Sequence, residues 1–207
     1  MALVWLPLDD RAVDGIVALA GSSWAREDLD DAVVAAGWSL PGGRSVAEEV
    51  YGAAEHRFGL DDHRWVGVAM RFDPDEVIGF FLAFATYLDE QDPDDQDVRD
   101  LVSSRGAPWS ADALATRAGF DARHHEAVAR LTAKLGEPLV VGTHDDEWHH
   151  AVWRVADCLV VLAQGENFDL YGMADDACLW LVRHAPDRPV PTGDALYAFL
   201  CGDTAPA

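Results

Sequence analysis

Lysine is almost missing from this 207-residue chain: Lys134 is the only one, beside fourteen arginines. Positive charge is scarce altogether, 15 basic against 37 acidic side chains, and the net charge is −22. So anionic a surface repels nucleic acid and anionic membrane and attracts cationic partners. No stretch interleaves basic with aromatic residues, which argues further against a nucleic-acid ligand. The preference for arginine matches the codon usage of a high-GC bacterial genome.

Cysteine is scarce too. Cys158, Cys178 and Cys201 are odd in number, form no CxxC and sit among apolar neighbours. That pattern predicts buried, reduced thiols in a cytoplasmic protein rather than a disulfide framework. No segment near residue 1 joins a basic stretch to an apolar one, so no secretion signal is expected. The longest apolar run, VIGFFLAFATYL at 77–88, is too short to span a bilayer as a helix. Familiar catalytic motifs are also lacking. There is no GxSxG elbow, no GxxxxGK[ST] loop and no GxGxxG after a strand, and no cofactor is expected.

What is present is globular: 50% of residues are apolar and 25% charged. Asp9 caps a first helix with Val13, Ile16, Val17 and Ala20 on one face. A second carries Leu29, Val33 and Ala36 and stops at Gly37. WSL begins a short strand. AEHRF and RWVGVAMRF, split by GLDDH, read as a hairpin. VIGFFLAFATYL is apolar nearly all round, which reads as a buried or interfacial helix, with a strand possible over its first half. A short helix follows Ser110. Asp121 is the expected cap of a longer one with Val128, Leu131 and Leu135 inside and Gly136 at its end. EPLVVG, EWHHAVWRV, DCLVVLAQ, NFDLYGM and ACLWLVRH read as antiparallel strands, and GDALYAFL as a last helix.

The fold class is therefore α+β, antiparallel sheet packed with helices. The expected organisation is an α+β half over 1–88, an acidic linker over 89–109 and a second α+β half over 110–207. The halves are either related by duplication or packed as one domain.

Three features are candidates for function. The stretch DEQDPDDQDVRD, 89–100, holds seven carboxylates in twelve residues. It reads as a solvated linker, or as a surface for a basic partner through Asp92, Asp94, Asp95 and Asp97. HDDEWHH, 144–150, collects imidazoles and carboxylates suited to a metal. Strand alternation places Trp148, His150 and Val152 on one face and His149, Ala151 and Trp153 on the other, so His144, Asp145 and His150 are the metal candidates. The bland reading of that segment is a polar hairpin tip. His124 and His125 lack HExxH spacing and are expected on the surface. Of the eight tryptophans, Trp38, Trp65, Trp153 and Trp180 are expected in the core, while Trp24, Trp109 and Trp148 lie where aromatics anchor interfaces.

The segments WAREDLDDAVVAAGW, LTAKLGEPLVVG and VWRVADCLVVLAQGENFDLYGM resemble a group of small acidic actinobacterial proteins of unknown function. The shared pattern is a helix ending in GW, a helix ending in LGEP, then a W-R-x-x-D strand pair, and it covers most of the chain. The group is similar to the immunity proteins found beside polymorphic toxins. The resemblance implies a cytoplasmic module that binds and neutralises a basic secreted toxin; the acidic insert from Asp89 to about Pro108 departs from the shared pattern. It is the acidic charge, not the resemblance, that offers Asp92, Asp94, Asp95 and Asp97, with Trp109 as an aromatic anchor, as the residues that would face such a partner. It carries over no catalytic residue. The alternatives are a metal-dependent hydrolase at 144–150, or a scaffold that self-associates through an exposed apolar helix at 77–88. Oligomeric state stays open.

Overall fold

The computed structural model describes residues 1–38, 43–52, 57–60, 63–70, 77–89, 96–105, 107–166 and 174–201. Its chain order is β1 (Ala2–Trp5), α1 (Asp10–Ala20), α2 (Leu29–Ala35), α3 (Val46–Gly52), β2 (Arg57–Gly59), β3 (Trp65–Met70) and β4 (Val77–Leu88). Then come α4 (Gln96–Arg105), β5 (Ser110–Asp112), α5 (Arg117–Leu135), β6 (Val140–His144), β7 (Trp148–Val155), β8 (Cys158–Glu166), β9 (Asp175–Arg183) and α6 (Asp194–Leu200). The fold is α+β.

All nine described strands join one antiparallel sheet, in the order β2-β3-β4-β9-β8-β7-β6, with β1 added to β4 and β5 to β1. The centre is β4, expected above as a helix. It pairs with β3 through Gly67↔Phe81, with β9 from Gly79↔Val182 to Tyr87↔Asp175, and with β1 from Ala2↔Leu88 to Trp5↔Ala85. The sequence misleads there because both faces of β4 are covered. Phe80, Leu82 and Phe84 enter the larger core, while Phe81 and Ala83 pack into the smaller one. A strand buried on both sides shows no polar alternation, and its apolar run looks the same as that of a buried helix. A register shift between Ala83 and Ala85 leaves the Phe84 carbonyl to accept from Leu6 N at 2.9 Å.

Helices α1, α2, α3 and α5 supply the larger core, around Ile16, Leu29, Trp38, Val50, Phe58, Phe120 and Trp153. Gly15 lets α1 approach Trp38: a Cβ there would lie 2.1 Å from the indole ring. Asp9 caps α1 as expected, its carboxylate accepting from Ala12 N at 2.8 Å. Gly37 and Gly136 follow α2 and α5 with φ of 78° and 83°, a backbone region that costs glycine nothing. The opposite sheet face carries α6, whose Leu196, Tyr197 and Leu200 pack on Val152, Val161, Trp180 and Val182.

Other expectations are corrected. Residues 110–112 form strand β5 against β1, from Trp5↔Ser110 to Leu3↔Asp112, not a helix. Helix α5 starts at Arg117 and is capped by Thr116, whose side chain accepts from Gly119 N; Asp121 is inside it. His124 faces the core, and only His125 is exposed. Trp65, expected in the core, is half exposed, with the Arg57 guanidinium over its ring, 5.1 Å from the centroid. The strand expected to begin at WSL lies, beyond Trp38, outside the described residues, and so does the one in NFDLYGM, 167–173. Among those that are described, no helix is long and apolar enough to cross a membrane.

Candidate functional site

The β6–β7 hairpin turns through Asp145 and Asp146, both in the left-handed region with φ of 51° and 56°. Glu147 N closes the turn on the His144 carbonyl at 3.1 Å. Within the three-residue loop 145–147, a β-turn with both central residues left-handed matches the strand twist, and aspartate tolerates that conformation better than most residues. The consequence is a tip made of carboxylates.

Directly behind the tip, His144 and Trp148 are cross-strand partners, and His150 lies opposite Gly142. Trp148 and Val152 join the smaller core while Ala151 and Trp153 join the larger one, so the alternation read from the sequence holds. His144 and His150 thus share a face, and α6 lies over it. The His144 ring stacks on Tyr197 with centroids 4.2 Å apart, and the His150 ring stands edge-on to the same tyrosine at 5.9 Å. Tyr197 is fixed by donating to the Gln164 carbonyl at 2.5 Å, and burial raises the pKa of its phenol. Burial lowers the pKa of His150, and the nearby His144 and His149 add to the effect.

His144 Nδ1 is 2.9 Å from Asp194 Oδ1, and its Nε2 is 3.6 Å from Asp145 Oδ2. Donor atoms of His144, Asp145 and Asp194 all lie within 4.8 Å of one another. Two of the three sequence candidates, His144 and Asp145, are therefore together. The third donor is Asp194, not His150. Asp194 opens α6, and nothing in its local sequence connects it to a histidine fifty positions earlier.

On the other face, His149 meets His124 and His125 of α5, with ring centroids 5.9 and 5.0 Å away. Burial drops His124 to about 3, His149 reinforces this, and the Leu162 backbone opposes it. Beside these rings lies a polar hub that the sequence did not reveal. Arg117 donates to Asp175 at 2.8 Å and to the Glu147 side chain at 2.9 Å, and lies 3.3 Å from Asp121. Asp121 also accepts from buried Gln164 at 3.2 Å, and Gln164 accepts from His149 N at 3.0 Å. The hub ties α5 to β7, β8 and β9.

The acidic stretch is in part helical. α4 begins at Gln96 and packs Leu101 and Val102 on Ala2 and Leu88 at the edge of the sheet. Asp92, Asp94 and Asp95 lie outside the described residues, and Asp97 is in the first turn of α4. Trp109 is half-buried, its indole N–H donating to the His63 carbonyl at 2.9 Å. A second acidic surface, unmarked in the sequence reading, lies on α2 and α3. Glu27, Asp28, Asp31 and Glu48 are exposed there, while Asp30 accepts from Ala47 N at 3.0 Å and so joins the two helices. Val34, 68% exposed, also sits on α2, three residues after Asp31.

No family model, no curated protein and no solved structure matches this chain.

Proposed function

We propose that this chain is an acidic protein-binding module of the immunity type, which binds a basic secreted toxin in the cytoplasm and neutralises it. The observation that carries the reading is the α2–α3 unit, which exposes Glu27, Asp28, Asp31 and Glu48 together with Val34 and is joined by the Asp30 bond to Ala47 N. Carboxylates together with an exposed apolar residue suit a cationic partner, since the charges steer the encounter and the apolar contact is desolvated once bound. The net charge of −22 extends that attraction over the whole surface. The acidic stretch at 92–97 is the second candidate contact. Strand β4 is interior, so the apolar surface on which a self-associating scaffold was argued is not a helix face.

The test is binding to a toxin encoded beside this gene, measured as association rate against ionic strength. Two variants are compared with wild type: Glu27→Gln/Asp28→Asn/Asp31→Asn/Glu48→Gln, and Asp92→Asn/Asp94→Asn/Asp95→Asn/Asp97→Asn. The expected result is fast association at low salt that falls steeply as salt rises, slowed about tenfold or more by the first variant. Slowing by the second variant alone moves the contact to the acidic stretch. No binding at low salt overturns the reading.

A further inference from the structure

We propose that His144, Asp145 and Asp194 form a binding site for one divalent transition-metal ion of the zinc class, which fastens α6 to the β6–β7 hairpin. The inference does not depend on the toxin-binding reading.

The donor set is of the right kind. One imidazole and two carboxylates, with water in the open position, are familiar ligands for zinc. The imidazole selects borderline metals over calcium and magnesium, which prefer all-oxygen sites. The donors come from two separate elements, which is what a fastening ion requires. Metal–nitrogen and metal–oxygen bonds of about 2.0–2.2 Å put tetrahedral donors roughly 3.4 Å apart. The three donors already lie within 4.8 Å of one another, Asp194 facing Nδ1 and Asp145 facing Nε2 of the same ring, so an ion on one nitrogen is closed by the other carboxylate swinging round the ring edge to it. The groups that must move are the ones free to do so: the Asp145 and Asp194 side chains are 68% and 91% exposed. The group that must stay is held, because His144 is stacked on Tyr197 and flanked by Trp148 at 5.6 Å. A ligand already fixed by packing loses little freedom on binding.

His150 is an independent observation on the same face. It is 2% exposed, and its Nδ1 has no hydrogen-bond partner among the described residues. Its ring stands edge-on to the same Tyr197 ring on which His144 stacks. Water on a nearby ion is a polar partner of the type that this nitrogen lacks. The charge balance also favours a cation. Asp145, Asp146 and Asp194 lie at the tip and helix start, Glu147 being paired with Arg117, and the chain carries −22 overall. The His124–His125–His149 group is the competing site. Its rings are near one another, but its nitrogens do not form a donor group as compact as the one at His144.

The experiment is calorimetric titration of the full chain with Zn²⁺, with Co²⁺ absorption as a reporter of inner-sphere ligation and thermal unfolding with and without Zn²⁺. The wild type is expected to bind one equivalent, show cobalt ligand-field bands and melt higher with Zn²⁺. Asp194→Asn removes an exposed donor and keeps the fold, which far-UV circular dichroism verifies. It is expected to weaken binding about tenfold or more and to abolish the melting shift. His144→Ala is expected to abolish ligation. His125→Ala/His149→Ala is expected to bind as wild type. No wild-type binding with Zn²⁺ in excess over protein overturns the proposal. So does binding that survives Asp194→Asn unchanged, or that disappears with His125 and His149.

Discussion

His124 shows how one side chain sets a pH dependence that the composition does not suggest. An imidazole in the unfolded chain titrates near 6.5, whereas the buried ring titrates near 3. Below pH 6.5 the unfolded state takes up a proton that the folded state refuses. The contribution of His124 is therefore fully present above 6.5 and is lost progressively as the pH falls towards 3. Between pH 7 and 5.5 the loss should be about 1 kcal/mol, from about 1.4 kcal/mol per pKa unit. Urea unfolding at these two pH values should show the drop in wild type and a clearly smaller one in His124→Leu. The remainder belongs to His150 and His184, whose pKa values burial also lowers. An equal drop in both proteins would mean that His124 takes up its proton without resistance in the folded state. The sequence hid this burial because His124 and His125 are adjacent, and adjacency says nothing about which of two helical neighbours faces inward until the helix start is fixed.

That start is the element-scale lesson. Asp121 has the chemistry of an N-cap, and a helix beginning there would put His124 and His125 in its first turn at the surface. The backbone instead begins α5 at Arg117, with Thr116 as cap and Asp121 bonded to Arg117 and Gln164. Both residues suit a cap, and tertiary bonds decided between them. Thr116→Ala should cost about 1 kcal/mol, and Thr116→Asn, which restores a capping oxygen, should recover most of it. A silent Thr116→Ala in denaturant unfolding would place the helix start elsewhere. Elements whose signals are local were legible: Asp9 before α1, Gly136 after α5, and the alternation through β7 that separates His149 from His150. Elements defined by distant partners were not. β4 looked helical because both its faces are covered, and β5 is a strand only because β1 lies beside it. For the same reason the sequence offered His144 and Asp145 as ligands but could not offer Asp194. Its place beside His144 is set by how α6 returns over the sheet.

At the scale of the whole molecule, the strand that resisted reading is also the one that joins the two ends of the chain. Residues 1–88 and 110–207 look like separate α+β halves in sequence, yet β4 and β9 pair side by side in the middle of one sheet. The larger core is shared too, since Phe58 and Phe80 lie in it with Phe120 and Trp153. Splitting the halves would expose an edge along both β4 and β9 and open that core, so neither half should persist while the other unfolds. Buried indoles report on both parts: Trp24 and Trp38 in the first, Trp153 and Trp180 in the second. Urea unfolding followed by tryptophan fluorescence and by far-UV circular dichroism should therefore give one transition with the same midpoint. Replacing Trp24 and Trp38 by phenylalanine in one variant, and Trp153 and Trp180 in another, weights the signal towards the indoles of the opposite half, Trp5, Trp65, Trp109 and Trp148 being common to both. Coincident midpoints from wild type and coincident signals within each variant are the expected result. A fluorescence transition separated from the circular dichroism transition within either variant would show that the two parts fold as independent units despite their common sheet.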